Sequence, residues 1–290
     1  MNHPTWSELD NAIAALRASP GLRTGSLIVT LYGDAIMPRG GALAVADLLR
    51  LLHRFGLSDS VVRTALSRLA ADGTLIAARH GRRSAYALTP HAEAEFRAAI
   101  PRIYGPLSPP WDGHLHLAFP EPGVDRSPFD HAGFALLAPG VLLAPATAPS
   151  LPTLTASGDP DTMRRLAARA WPLDDISARY THFLETLAAL QPPSNHRHRE
   201  PLGEAILTPP TPLDAIAARI LVVHAWRRIA LRDPHLPATL LPPDWPGPAA
   251  RTLCATLDAA LHPPSETWLD TASNGSSPLQ QPPSHPPRFA

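Results

Sequence analysis

The residues of this chain best suited to chemistry are arginines and hydroxyls gathered between Gly56 and Tyr86. Ser60, Arg63, Thr64, Ser67 and Arg68 fall on one side of a helix at 100° per residue, while Val61, Val62, Ala65, Leu66 and Leu69 fall on the other. A guanidinium can donate bidentately to guanine and a hydroxyl can serve a base edge or a backbone oxygen, so the polar face suits nucleic acid. An ordinary solvated helix carries the same pattern. A second basic group, Arg79, Arg82 and Arg83 with Ser84, surrounds Gly81 at what reads as a hairpin tip. Guanidiniums there are expensive to bury and useful against phosphates.

A different chemistry is offered downstream, where His224, Trp226, Arg227 and Arg228 share one helical run and Trp245 follows across a loop. Rings can hold an apolar acyl part and guanidiniums its phosphates, which suits an acyl-CoA. The alternative is that Trp226 and Trp245 pack a domain while Arg227 and Arg228 pair with Asp233 or Asp244. Two histidine pairs, His114 with His116 and His196 with His198, have metal-ligand chemistry, yet no spacing nominates a third ligand. The chain lacks a Gly-x-Ser-x-Gly elbow, a GxxxxGK[ST] loop, an HExxH helix and paired-cysteine zinc spacing. No catalytic set, metal site or cofactor is therefore expected.

The elements that must position the first group are legible. Ser58 is a good N-cap, with a hydroxyl able to accept an orphan N–H, and Gly73 is a natural left-handed stop, so a helix spans the interval. Ala46 to Phe55 carries its own stripe of Leu48, Leu49, Leu51 and Leu52, and the break at Gly56-Leu57 is short enough to hold two helices at a steep angle. Thr74 to Ala78 and Ser84 to Leu88 read as the two strands of the hairpin. Ser26 to Ile36 precedes them as a first helix, with Ala42 to Val45 as a short strand, and Thr89-Pro90 starts a helix running to about Ile103. Together these make a winged helix-turn-helix. Upstream, Thr5 and Glu8 form a capping box for a helix to Ala18 that carries Leu9, Ile13 and Leu16.

Three stretches, SLIVTLYGDAIMPRGG, FGLSDSVVRTALSRLAADG and GRRSAYALT, resemble the N-terminal domain of the PaaX-type regulators, repressors named for phenylacetic acid catabolism. RILVVHAWRRIALRDPHLPATLLPPDWPG, from Arg219 to Gly247, with WPLDDISARYTHFLETL before it, resembles that family's C-terminal domain. The resemblance implies a ferredoxin-like middle domain related to Cas2 nucleases. Alternation at His114 to Ala118, Phe134 to Leu137, Gly140 to Ala144 and Leu151 to Thr155 fits four strands, whereas Pro120 to Gly133 carries three prolines and is too broken for the full intervening helix. The expected fold is α+β: an N-terminal extension (1–25), a winged helix-turn-helix (26–105), a shortened ferredoxin-like, Cas2-like middle domain (111–157), a helical C-terminal domain (158–270) and a disordered tail (271–290) with Pro278, Pro282, Pro283, Pro286 and Pro287. The helix from Pro212 to Arg232, apolar nearly all round in its first half, should be the C-terminal hub.

Composition bounds less. The net charge is zero and there is no lysine, so any case for nucleic acid rests on the local cluster, where seven arginines from Arg50 to Arg83 meet two aspartates. One cysteine, Cys254, excludes an internal disulfide and reads as a small core hydrophobe. Met1 to Asp10 has no secretory pattern, and the apolar passage Phe134 to Ala148 falls short of the ~20 residues of a membrane span, so a cytoplasmic protein is expected. The reading that results is a homodimeric repressor on a double-stranded, roughly palindromic operator of an aromatic-acid catabolic operon, released by an acyl-CoA; resemblance implies phenylacetyl-CoA. The alternatives are a metal-dependent nuclease of Cas2-like type, with Asp112 or Glu121 as metal ligands, and a winged-helix protein-interaction module.

Overall fold

The computed structural model describes residues 6–18, 22–80, 83–106, 111–146, 150–191, 209–281 and 288–289. Thr5, Gly81, Arg82, His196 and His198 lie outside them. The architecture is mixed α and β, with two small antiparallel sheets among many helices. The chain forms two compact units, Met1–Gly105 with His182–Arg228 and Ala249–Ala290, and Pro106–Thr181 with Ile229–Pro248. This division differs from the linear domains expected from sequence, because α9 (Pro212–Ala230) and α10 (Gly247–Thr271) bury most of their length with the N-terminal elements.

In the first unit, α1 (Ser7–Ala18) buries Leu9, Ala12 and Ile13, and α2 (Thr24–Leu31) buries Leu27, Ile28 and Leu31. α2 continues as a π-helical turn, Tyr32–Ile36, and a 3-10 turn, Met37–Arg39, before two glycines, Gly40 and Gly41, at positive φ. The wider turn buries Tyr32, Asp34, Ala35 and Ile36 in close succession. β1 (Ala42–Ala44) leads into α3 (Val45–His53), whose buried Leu48, Leu49, Leu51 and Leu52 realise the leucine stripe. α4 (Asp59–Ala71) follows. Ser58 holds the extended N-cap conformation, but its hydroxyl makes no capping bond and lies 3.3 Å from that of Ser60. Gly73 ends the helix at φ 73°.

β2 (Leu75–His80) and β3 (Arg83–Leu88) pair antiparallel, and β1 adds to β3, giving the order β1-β3-β2. Pairing runs as far as His80 with Arg83, so Arg79 and Arg83 belong to the strands and not to a five-residue tip. α5 (Pro90–Tyr104) starts as expected, Thr89 accepting the Ala92 N–H at 3.2 Å. From Ala215 to Val223 every residue of α9 is almost fully buried, as its apolar circumference requires. α10 runs unbroken to Thr271, through Pro263-Pro264.

The stretch after Thr271, expected to be a disordered tail, is ordered where it is described. Ala272, Leu279 and Phe289 are buried, Ser273 bridges Pro278, and the Ala44 N–H donates to the Ser273 carbonyl at 2.8 Å. Proline density hid these few apolar anchors. Residues 282–287 and 290 lie outside the description.

The second unit holds β4 (Leu115–Ala118), α6 (Ser127–His131), β5 (Ala135–Ala138), β6 (Val141–Ala144) and β7 (Leu154–Ala156), all strand pairs antiparallel, in the order β5-β6-β4-β7. Alternation separates two clusters. Leu115 and Leu143 join Met163 and Ala167 of α7 (Pro160–Ala170), Trp171, and Leu173 at the start of α8 (Leu173–Leu187), whereas Ala118, Leu142 and Ala144 join Phe129 and Phe134. α6 has five residues, with Pro128 in its first turn. No described helix is long and apolar enough to cross a membrane.

A candidate nucleic-acid interface and a buried arginine cluster

α4 turns Val62, Ala65 and Leu66 inward and leaves Ser60, Arg63, Thr64, Ser67 and Arg68 exposed, bringing the five hydroxyl and guanidinium residues onto one face. Val61, assigned by its periodicity to the apolar side, is instead 45% exposed, since an inward face built on positions 62, 65 and 66 excludes it. The Thr64 hydroxyl donates to the Ser60 carbonyl at 2.8 Å. Arg63 stands 3.9 Å from Asp59, a surface pair of little strength.

A groove lies on each side of this face. One, about 740 Å³, is lined by Ser60, Thr64 and Arg68 together with Arg23 and Ser26, at the start of α2, and Arg227 of α9. The other, about 610 Å³, is lined by Arg63, Arg83 and Ser84 with Ala44 to Asp47 at the start of α3. Neither α2 nor α3 has a side-chain cap on its first turn, and residues of that turn line both grooves beside guanidiniums, with Asp47 among them in the second. Arg83 and Ser84 are exposed; Arg79 sits opposite Ser84 in the hairpin ladder. Arg23 and Ser26 were missed in the sequence because they precede the first apolar run and have no periodic partner.

The α9 residues face two directions. His224 Nδ1 lies 2.9 Å from the Thr30 hydroxyl, and Arg227 donates to that hydroxyl at 2.7 Å and to the Ser26 carbonyl at 2.9 Å. Burial lowers the pKa of the Arg227 guanidinium. Trp226 turns away from these, its indole donating to the Ile103 carbonyl at 2.7 Å and its ring meeting Phe183 and Phe289 edge-on. Arg228 is half-buried on the same helix. Trp245 belongs to the second unit, edge-on to Tyr180, whose hydroxyl donates to Asp233 at 2.6 Å. Neither alternative from sequence describes this fully: Trp226 does pack a core, while Arg227 binds α2 hydroxyls and a carbonyl.

Behind α2 lies a buried ionic cluster. Asp34 receives Arg219 at 2.9 Å, Arg288 at 2.5 Å and the Tyr104 hydroxyl at 2.5 Å, while Glu266 receives Arg219 at 2.8 Å and Arg39 at 2.5 Å. Burial pushes the Asp34 carboxyl up, but Arg219, Arg288 and the Tyr104 hydroxyl outweigh it and hold the pKa at about 2. Its sequence signal was present. A lone aspartate inside LIVTLYGDAIM and a lone arginine inside ARILVV must find each other or another partner. Cys254 is buried, and burial raises its thiol pKa well above the ordinary value, consistent with an unreactive core residue.

Of the histidine pairs, His114 Nδ1 lies 3.0 Å from the Ser157 hydroxyl and His116 is buried, its Nε2 3.8 Å from Asp112. Among the described residues no three His, Cys, Asp or Glu side chains gather as a metal set.

The model of the PaaX-like protein family matches residues 23–92, and that of the PaaX-like protein C-terminal domain matches residues 171–271. The chain is also 34% identical over 283 residues to the transcriptional repressor PaaX of Escherichia coli (strain K12), covering 89% of this chain and 86% of that one. The chain belongs to the PaaX-like family. Membership places it among transcriptional regulators and not among enzymes. As a PaaX-like protein it also shares a fold with a solved structure, the uncharacterized protein Rv0674 from Mycobacterium tuberculosis, at a TM-score of 0.51 and 22% identity, over 83% of this chain and 96% of that one. The first family match covers α2 to the start of α5 and so contains both grooves' α4 residues; the second covers α8, α9 and α10.

Proposed function

We propose that this PaaX-like regulator is a repressor whose residues 26–105 form a winged helix-turn-helix, with α3 and α4 as the paired helices, α4 in the major groove of operator DNA and the β2–β3 hairpin as the wing. The observation that carries the reading is the exposed hydroxyl and guanidinium face of α4 set between two arginine-lined grooves. Ser60, Arg63, Thr64, Ser67 and Arg68 face bases; Arg79, Arg82, Arg83 and Ser84 hold phosphates beside the wing; Arg23, with the uncapped start of α2, holds a phosphate on the other side.

The strand order β5-β6-β4-β7 supports a ferredoxin-like middle domain, because in chain order the four strands stand 2-3-1-4, with the first helix cut to the five residues of α6. Two copies of the chain place two α4 helices on half-sites about one DNA turn apart. The operon regulated belongs to aromatic-acid catabolism of phenylacetate type, and an acyl-CoA, phenylacetyl-CoA by family, releases the DNA. His224, Trp226, Arg227 and Arg228 are the proposed effector contacts of the first unit. Arg227 supports a route from effector to DNA, since it binds α2 and lines the same groove as Arg68.

Fluorescence anisotropy with duplexes from the upstream region of its own operon, across salt concentrations and with or without phenylacetyl-CoA, tests the proposal. Tight sequence-specific binding released by the ligand is the expected result. Binding that is weak and indifferent to sequence overturns it, and specific binding indifferent to ligand removes the effector.

A further inference from the structure

Arg288 and Phe289, the last two described residues, fill a cavity within the first unit. Phe289 is 9% exposed. Its ring stands edge-on to Tyr104, with centroids 5.2 Å apart at 77°, and to Trp226, at 6.1 Å and 66°. The Arg251 guanidinium sits 5.6 Å from the ring centroid, and its NH1 donates to the Phe289 carbonyl at 3.1 Å. Ring, methylene and carbonyl oxygen are thus held as an arylalkanoic acid would be held, the aromatic part against two rings and the oxygen on a guanidinium.

Two observations mark Phe289 as an occupant and not as part of the wall. Its backbone lies at φ 62°, a left-handed conformation that a bulky side chain rarely adopts and that its surroundings must impose. The walls, by contrast, are fixed without it. Tyr104 ends α5 with its hydroxyl on Asp34, Trp226 lies mid-α9 with its indole on the Ile103 carbonyl, and Arg251 in α10 also donates to the Gly105 carbonyl at 3.2 Å. Arg288 anchors the occupant through Asp34 at one side of the cavity.

We infer that the cavity between Tyr104, Trp226 and Arg251 is a binding site for an aromatic carboxylic acid or its acyl conjugate, and that Phe289 is a built-in competitor for it. The inference rests on the effector part of the proposed function and gives that effector's ring a definite place. A tethered competitor scales the apparent affinity of a free ligand by the fraction of time the site is empty, so removing it must tighten binding.

Calorimetric titration of the full chain with phenylacetate, with acetate as the control that lacks the ring, tests this without DNA. Phe289→Ala is expected to bind phenylacetate about tenfold or more tightly than wild type, neither protein binding acetate, and adding Arg251→Ala is expected to abolish the gain. Folded Phe289→Ala with unchanged affinity overturns the inference. Should that variant fail to fold, 4-fluorophenylalanine placed at position 289 of the otherwise native chain replaces it. Its fluorine resonance is expected to shift with phenylacetate and not with acetate; a resonance unmoved by excess phenylacetate overturns the inference equally. Tight phenylacetate binding in a protein that ignores its operator defeats only the regulatory reading, and a ligand-released operator complex whose position 289 never responds defeats only this site.

Discussion

Arg219 Nε lies 2.9 Å from Asp34 Oδ2, and each side chain is 1% exposed. The contact ties the middle of α9 to the π-helical turn after α2, across 185 residues of sequence. Removing one partner from a buried pair leaves the other charge without compensation, which costs about 3–5 kcal/mol. Asp34→Ala leaves Arg219 with the Glu266 carboxylate alone, at 2.8 Å, and Arg288 with only the more distant Asp258 carboxylate, at 3.6 Å, so urea denaturation is expected to show a loss toward the lower end of that range. A loss below about 1 kcal/mol would mean that the cluster is hydrated and not structural.

The Thr30 hydroxyl serves both His224 and Arg227, at 2.9 and 2.7 Å. Thr30→Val keeps the shape and removes the oxygen, leaving buried polar groups short of a partner, so stability is expected to fall by about 1–3 kcal/mol. Thr30→Ser restores the oxygen and should recover most of it. A Thr30→Val protein as stable as wild type, with Thr30→Ser the destabilised one, would assign the effect to the methyl group.

On DNA, different arginines are expected to fail differently. Arg63→Ala or Arg68→Ala relaxes sequence preference by about 1–3 kcal/mol if the side chain reads a base bidentately, whereas Arg83→Ala weakens every sequence and shallows the salt slope by about 1. Competition titrations over a panel of single-base operator variants at several salt concentrations separate the two. An Arg83→Ala protein with unchanged affinity and slope removes the hairpin from the interface.

His262 supplies a pH dependence. Burial, then Arg219, lowers its pKa from 6.5 to about 4, with Glu266 opposing. The unfolded chain therefore takes up a proton near pH 6.5 that the folded chain refuses until about pH 4, so this residue's contribution disfavours folding increasingly as pH falls through that window and levels off below it. His262→Gln has no proton to take up. The Tm difference between variant and wild type is expected to grow in the variant's favour from pH 7 to pH 4; a difference constant with pH would place the imidazole in solvent.

At Gly73, where φ is 73° and a Cβ would meet nothing within 4 Å, alanine is expected to cost about 1–2 kcal/mol through the backbone alone. Gly73→Asn, which tolerates that conformation better, should cost less by thermal denaturation. If the two substitutions cost the same, φ does not govern the site.

Much of the fold was legible because it is local. Gly73, Thr89 and the leucines of α3 act through a stop, a cap and 3.6-residue periodicity, each settled within a few neighbours, while Ser58 marks the start of α4 by its extended backbone without its hydroxyl capping the helix. At the hairpin tip β2 ends two residues later and β3 begins one residue earlier than expected, since inter-strand hydrogen bonds carry pairing out to His80 and Arg83 whatever their charge. Val61 was misassigned because the width of a buried face depends on what packs against it, which periodicity does not record.

The sequence by itself determined that α4 would carry hydroxyls and guanidiniums on one face, because side-chain direction along a helix follows from its geometry. Only the tertiary structure decided which arginines remain available at a surface and which are consumed within the core. Arg68 and Arg83 stay exposed, Arg227 is spent partly on α2, and Arg219, Arg39 and Arg288 are buried against Asp34 and Glu266. The same guanidinium is a ligand-binding group or a structural one according to the carboxylates and hydroxyls that folding brings from 47 to 254 residues away, and burial settles the matter by making an unpaired charge too costly to keep.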